Sequence, residues 1–277
     1  MNADLHSHST LSDGTLAPAE LVARAAARGV ELFALTDHDQ LGGLAAAREA
    51  AESRGLPFVD GVEISVSWRG STLHVVGLEI DPTDAGLRNG LAVVRGGRLR
   101  RAQRMADALA DVGIEGTLQG ALAQAANPEM ISRSHFARYL AAIGAVESSK
   151  AAFKHYLVPG KPGYVPHQWA ELGDALRWIT AAGGIAVLAH PGRYPLAPDA
   201  MNALLADFRE GGGAAIEVVT GSHGPDQYRR FAALATHYGL AASRGSDFHA
   251  PDESAELGSL PLLESSLVPV WAGLKQH

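Results

Sequence analysis

Short apolar runs alternate with amphipathic segments along most of the chain. ADLHSHS (3–9) reads as a strand, and PAELVARAAARG (18–29) as a helix with Pro18 near its start and Gly29 after its end. VELFALTDHD (30–39) is an apolar run ending in polar residues, and the Ala-rich LGGLAAAREAAESRG (41–55) follows it as a helix. LPFVDGVEISVSW (56–68) and STLHVVGLEI (71–80) read as two strands joined at Arg69-Gly70, a hairpin signal. Helical ELGDALRWITAAGG (171–184), MNALLADFREGG (201–212) and PDQYRRFAALATHYG (225–239) then alternate with strand-like IAVLAHPGR (185–193), GAAIEVVTG (213–221) and LAASRGSDFHAP (240–251).

Repeated strand-then-helix units predict an α/β fold with a largely parallel sheet of about seven strands, open or closed into a barrel. Polar residues gather where each strand gives way to its loop, which is where such barrels keep their active sites. From Pro82 to Pro166 the rhythm breaks: LRRAQRMADALADVG (99–113) and SHFARYLAAIG (134–144) are helical, with no convincing strand between. The expected organisation is one barrel domain from residues 1–82 and 166–277, with residues 83–165 as a helical insertion forming a lid.

Composition narrows the classes. With 277 residues, 47% hydrophobic and 19% charged, the chain can bury a sizeable core and is not a disordered one. It has no cysteine, which removes disulfides, thiolate nucleophiles and Cys-type zinc sites and suits a reducing cytosol. Neither a signal peptide nor an apolar stretch of membrane-spanning length is visible, so a cytoplasmic protein without a membrane partner is expected. A net charge of −7 argues against general coating of nucleic acid. RGGRLRRAQR (95–104) is a local exception, with five arginines and no acid: either a solvated helix face or a phosphate-binding wall.

The candidate chemistry begins at the N-terminus. If Asp4 to His8 is extended, period-two alternation sends Asp4, His6 and His8 to one face, and three ionisable side chains on one face are costly to bury unless something binds them. Asp13, His38 (between Asp37 and Asp39), Glu63, His74, His190, Asp247 and His249 add donors of the same kind, most of them at strand ends. His, Asp and Glu without Cys suit Mn²⁺, Fe²⁺ or Zn²⁺. His6, His8, Asp13, His38, Glu63, His74, His190, Asp247 and His249 are nine donors, enough for two or three ions bridged by a carboxylate. Asp4 is placed behind the ligands, orienting a histidine, and Asp39 is a candidate N-cap for the following helix. His135, His155, His167, His223, His237 and His277 fall off the strand-end pattern.

DLHSHSTLSDG, ALTDHD, GVEIS, the His74 strand, LAHPGR and GSDFHA, in that order, resemble the PHP (polymerase and histidinol phosphatase) superfamily over residues 4–249 apart from the insertion. ISRSHFARYL and KPGYVP are similar to its 3′,5′-nucleoside bisphosphate phosphatase group, related to enzymes that trim RNA from the 5′ end. The resemblance implies a distorted (β/α)7 TIM-like barrel and a trinuclear site, often holding three Mn²⁺. It places one ion on His6, His8, Glu63 and Asp247, a second on Glu63, His74 and His190, and a third on Asp13, His38 and His249. Ser134 stands where many relatives have proline.

No activated serine, cysteine or phosphoryl-accepting aspartate motif is present, so the metals are expected to activate water for attack on a phosphomonoester. His249 or His223 is the candidate general acid. A second phosphate on the substrate would need cations away from the metals: Arg101, Arg104, Arg133, Ser134, His135, Lys161 and Arg193 are the candidates, Arg133 and Arg193 foremost. The expected reaction removes the 3′-phosphate from a 3′,5′-nucleoside bisphosphate and leaves a 5′-mononucleotide. The alternatives are 5′→3′ trimming of short 5′-phosphorylated RNA, another phosphomonoesterase such as a histidinol phosphatase, and a non-catalytic binding module stapled by metals. No obligate protein partner is evident.

Overall fold

The computed structural model describes residues 1–253 and 255–275. Seven strands follow one hydrogen-bonded path: β1 (Ala3–Asp4), β2 (Leu32–Leu35), β3 (Phe58–Trp68), β4 (Ser71–Leu78), then β6 (Ile185–Leu188), β7 (Ala215–Thr220) and β8 (Ala241–Gly245). A two-residue β5 (Ala170–Glu171) pairs with the outer end of β3. The sheet is mixed, because β4 runs antiparallel to both neighbours while the other pairs along the path are parallel. The reason is the tight β3–β4 turn, in which Arg69 and Gly70 both take positive φ, the backbone that matches the twist of a two-residue hairpin.

The sheet nearly closes on itself. Ser7 bridges Phe248 in parallel, the Leu5 amide donates to the Arg244 carbonyl at 3.0 Å, and the Asp247 amide donates to the His6 carbonyl at 2.9 Å. A Cβ on Gly245 would lie 2.4 Å from the His6 Cβ, so only glycine lets the first and last strands come this close. The N-terminal ladder is shorter than the alternating pattern predicts: β1 ends at Asp4, and His6 and His8 lie in extended chain beyond it.

Strand alternation sorts the core. Leu5, Ala34, Val59, Val76, Leu78, Val187 and Ala215 form the interior of the barrel, closed from one end by Val270 in the C-terminal segment. Opposite-facing residues such as Phe33, Ile64, Val75, Leu188 and Ile216 pack against α1 (Pro18–Ala27), α2 (Leu44–Glu52), α8 (Leu172–Ala181), α9 (Pro198–Glu210) and α10 (Pro225–Tyr238).

Between β4 and β5 the chain is helical: α3 (Ala85–Arg95), α4 (Arg98–Ala110), α5 (Thr117–Ala123), α6 (Arg133–Ala142) and α7 (Ser149–Ala152), continuing as a π-turn over Phe153–Leu157. Helix α3 still packs on the barrel's helical layer through Leu87 and Leu91. The helices from α4 onward bury a separate cluster that includes Met105, Leu109, Phe136 and Leu140. Asn127 Nδ2 donates to the Leu11 carbonyl at 3.0 Å, which ties this segment to the loop after β1.

Candidate active site

Alternation also decides which side chains look into the barrel's mouth. Glu63 shares the Val59 face of β3, His74 the Val76 face of β4, and Glu217 the Ala215 face of β7. Loops at the ends of the other strands bring in the rest. His190 and Asp247 take left-handed backbone, at φ 26° and φ 55°, where the chain turns off β6 and β8. Gly14 lets the loop carrying Asp13 fold back on the segment after β1, because a Cβ there would sit 2.2 Å from the His8 carbonyl oxygen.

All nine sequence-predicted ligands converge. His6 Nε2 lies 3.3 Å from Glu63 Oε1 and 3.5 Å from Asp247 Oδ1, and His8 Nε2 lies 3.3 Å from Glu63 Oε2 and 3.2 Å from Asp247 Oδ1. Beside them, His249 Nε2 and His38 Nε2 face Asp13 Oδ1 at 3.3 and 3.8 Å. On the other flank His74 Nδ1 and His190 Nε2 approach Glu63 Oε1 at 2.9 and 3.0 Å. Three groups have donor atoms that all fall within 4.8 Å of one another: His6, His8, Glu63 and Asp247; His8, Asp13, His38 and His249; and His38, Glu63 and His74. The first is the predicted set. The second adds His8 to the predicted three, and the third has His38 where the resemblance had His190.

Divalent cations fit these donors. His6 Nε2, His8 Nε2, Asp13 Oδ1 and Glu63 Oε2 are buried without a hydrogen-bond partner among the described residues, a costly state unless an ion takes their lone pairs. Protonation states agree. Burial would raise Glu63, but His74, His38 and His6 hold it well below the usual carboxylate range. Burial would raise Asp13 and Asp247 too, and the histidines around them pull both well below it. Burial, with His249 and His38 alongside, lowers His8 to about 3, and burial with Arg193 nearby lowers His190 to about 3, so both stay neutral ligands. His6, His38 and His249 go the other way, because burial is outweighed by carboxylates. Glu217, Glu63 and Asp247 hold His6 well above its usual value, Glu63 and Asp13 raise His38 to about 9, and Asp13 and Asp247 raise His249.

Supporting side chains hold this set, and several were not foreseen. Glu217, buried in β7, accepts from His6 Nδ1 at 2.7 Å and from the His190 amide at 2.6 Å. That bond leaves the His6 Nε2 lone pair facing the cluster. Its sequence signal was a single acid inside the apolar run AAIEVVT. Asp37 accepts from the Ser9 amide and the hydroxyls of Ser9 and Ser12, at 2.7, 2.6 and 2.6 Å, and so shapes the loop that presents Asp13. Two expectations are corrected. Asp4 turns away from the histidines and accepts from the amides of Ser246 and Gly258, because the regular ladder ends before His6. Asp39 does not cap a helix, since α2 starts at Leu44; its carboxylate instead accepts from the Ser65 amide and pairs with Arg98.

The candidate substrate residues divide. Arg193 Nη1 lies 2.8 Å from Asp247 Oδ2, with its side chain 47% exposed beside the cluster. Burial, then Arg193, lowers Arg133, while burial, Arg133 and Arg98 lower Arg101 to about 9, so these arginines share one cationic region. Arg133 donates to the Leu157 carbonyl and sits over Phe153, and Arg101 donates to the Val165 carbonyl and sits over Trp169. Ser134 is the second residue of α6, its amide donating to Ser132 Oγ. His135 is buried and caps that helix, its Nδ1 accepting from the Ser132 amide at 3.0 Å, and burial lowers its pKa to about 4. Arg104 and Lys161 are exposed, and neither reaches hydrogen-bonding distance of the cluster among the described residues. His223 accepts from the Gly192 amide at 2.9 Å and faces the Val218 carbonyl at 3.1 Å, so both ring nitrogens are engaged. Burial lowers it to about 4, which suits a brace for the 190–193 loop better than a proton donor. His277 lies outside the described residues.

A family model described as "PHP domain" matches residues 4–218. A 3′,5′-nucleoside bisphosphate phosphatase of Chromobacterium violaceum is 52% identical over 99% of this chain and 96% of its own. A 5′-3′ exoribonuclease of Haemophilus influenzae is 42% identical over 97% of each chain. The structure of a Bifidobacterium adolescentis protein assigned as a metal-dependent phosphoesterase superposes with a TM-score of 0.80 at 29% identity, over 98% of this chain and 93% of its own.

Proposed function

The chain belongs to the PHP domain family, and from that premise we propose that it is a metal-dependent phosphatase that removes the 3′-phosphate from 3′,5′-nucleoside bisphosphates. The observation that carries this reading is a largely buried His/Asp/Glu cluster, eight residues in three ligand groups with His190 alongside on Glu63, set beside an arginine-lined rim. We assign three divalent ions, Mn²⁺ foremost with Fe²⁺ or Zn²⁺ as alternatives, to His6, His8, Glu63 and Asp247; to Glu63, His74 and His190; and to Asp13, His38 and His249. Bound there, divalent ions supply Lewis-acid charge that polarises a phosphoryl group and brings the pKa of water towards about 7.

The chain's own residues do the rest. Glu217 holds His6 in the tautomer that offers Nε2, and Asp37 holds the Asp13 loop. Arg193 and Arg133, with Arg101 behind them, take the phosphate that is not cleaved, which orients the scissile phosphomonoester towards the residues that would hold the ions. Planar guanidinium groups suit this task because two N–H donors match two phosphate oxygens. His223 holds the Gly192 amide and through it the loop carrying Arg193, and His249, its Nδ1 on the Asp247 carbonyl and its Nε2 toward Asp13, serves as a ligand and not as the proton donor. Within residues 83–165 the part from α4 onward acts as a lid over the mouth of the barrel, carrying Arg101 and Arg133 on helices with their own core, while α3 stays on the barrel. No helix among the described residues is long and apolar enough to cross a membrane, and we place the enzyme in the cytoplasm, acting on a small nucleotide.

A second activity on short 5′-phosphorylated RNA is favoured by the exoribonuclease relative, because both substrates bring a 5′-phosphate to the same arginines. The test is turnover by metal-stripped protein reloaded with Mn²⁺, on 3′-phosphoadenosine 5′-phosphate, 3′-AMP, 5′-AMP, histidinol phosphate and a 5′-phosphorylated RNA trimer. The proposal expects the bisphosphate to lead, 3′-AMP to trail, and chelation to abolish turnover. Preference for histidinol phosphate, or no turnover of any phosphomonoester with metal bound, would overturn it.

A further inference from the structure

Two arginines of the helical segment reach across to a single residue on the barrel rim. Arg95 Nη1 donates to the Asp39 carbonyl at 2.7 Å. The Arg98 guanidinium, only 5% exposed, pairs with the Asp39 carboxylate, donates to Ser65 Oγ at 3.3 Å and lies 4.9 Å over the Trp169 ring. Asp39 in turn accepts from the Ser65 amide at 2.8 Å and the Ser65 hydroxyl at 3.0 Å, and its own amide donates to the Glu63 carbonyl at 2.8 Å. Residue 39 holds φ 46°, a left-handed backbone that needs its surroundings to maintain it. His38 precedes it in the chain, and Ser65 follows Glu63 on the same face of β3.

We propose that Arg98 is a positioning residue for the metal site: by clamping Asp39 and Ser65 together it sets the separation of His38 and Glu63. The physical reason lies in the cost of the arrangement. Asp39 matches the charge of the buried Arg98 while its Nε stays without a hydrogen-bond partner among the described residues, and apolar residues would hold α4 on the barrel at a smaller desolvation penalty. One directional donor, Nη2, reaching the residue after one ligand and the residue two beyond another supplies what apolar packing cannot, a fixed distance between β3 and the loop after β2. The Gly96-Gly97 junction brings Arg95 and Arg98 to the same residue, and Gly97 has no room for a side chain, since a Cβ would meet the His167 ring at 2.5 Å. This inference rests on reading the cluster as a metal site.

The test titrates Mn²⁺ into metal-free wild type, Arg98→Lys and Ser65→Ala by calorimetry, with thermal melts of the metal-free proteins and kcat and KM for the bisphosphate. Lysine keeps the charge but loses the planar guanidinium that lies over Trp169 and fixes Nη2 between Asp39 and Ser65, and Ser65→Ala removes the shared hydroxyl without leaving a charge buried. A positioning role predicts Mn²⁺ binding weaker by about 10–100-fold in Arg98→Lys. It predicts a smaller loss in the same direction in Ser65→Ala, with kcat reduced and KM close to wild type. Unchanged Mn²⁺ binding with a lowered melting temperature would make Arg98 a strut and overturn the proposal. A raised KM with unchanged Mn²⁺ binding would make it a substrate contact and also overturn it. If Arg98→Lys does not fold, Ser65→Ala decides. If wild type itself binds no Mn²⁺, the metal reading fails first and this inference falls with it.

Discussion

Replacing Glu217 by glutamine tests how this site holds a histidine in one tautomer. The carboxylate accepts two hydrogen bonds, from His6 Nδ1 at 2.7 Å and from the His190 amide at 2.6 Å. Glutamine has nearly the same shape but only one acceptor atom, and both of its orientations fail. With its oxygen on His6, its NH₂ group faces the His190 N–H, leaving a buried donor unsatisfied at a cost of about 1–3 kcal/mol. With its NH₂ group on His6, the ring must carry its proton on Nε2, the atom that faces Glu63 and Asp247, and it can no longer serve as a ligand. The expected loss in metal affinity is about 10–100-fold, or about 1.4–2.7 kcal/mol. Calorimetric titration of Mn²⁺ into metal-free Glu217→Gln measures it, and circular dichroism checks that the fold is kept. An isotherm within twofold of wild type, with the same number of ions bound, would refute the reasoning.

Three further outcomes follow from the same geometry. Because His38 in the metal-free protein is held at about 9 against burial by Glu63 and Asp13, Mn²⁺ binding near pH 7.5 should release protons and tighten as pH rises towards 9. Titrations in buffers of different ionisation enthalpy should show this, and binding heats that do not depend on the buffer would contradict it. Burial lowers His223 from 6.5 to about 4, so between those values the unfolded chain binds the extra proton. Its contribution is therefore complete above about pH 6.5 and lost as pH falls towards 4, and urea melts of metal-free His223→Asn should show a shallower fall over that window than wild type. Arg133→Met should raise KM for the bisphosphate about 10–100-fold, as expected for a lost charged hydrogen bond of about 1.5–3 kcal/mol. Its effect on a substrate with a single phosphate should be much smaller, and equal losses on both would remove Arg133 from the second-phosphate site.

What the sequence disclosed, and what it hid, follows from how far apart the interacting residues lie. Strands, helices and the strand-end ligands are written locally, in period-two and helical spacing and in dipeptides such as Arg69-Gly70. The hairpin turn and the convergence of Glu63 and His74 on one side of the barrel wall follow from those patterns. The supporting contacts are not local. Glu217 is 211 residues from His6, Arg98 is 59 from Asp39, and Asp37 is 28 from Ser9. Only the folded barrel says which acid serves which ligand. Asp4 misled for the opposite reason: alternation was carried through a strand whose ladder stops at that residue, so the carboxylate braces Ser246 and Gly258 instead. His223 lay outside the strand-end pattern, and its place against Gly192 became visible only once α10 and the 190–193 loop were set side by side.

The measurement that bears most directly on the central claim is the identity of the nucleotide product. Mn²⁺-reloaded protein would be given 3′-phosphoadenosine 5′-phosphate, and the reaction followed by phosphorus NMR with each ester resonance assigned. Removal of the 3′-phosphate predicts inorganic phosphate and 5′-AMP in equal amounts, with no signal from 3′-AMP. Accumulation of 3′-AMP, or an unreacted bisphosphate beside metal-loaded protein, would contradict the account.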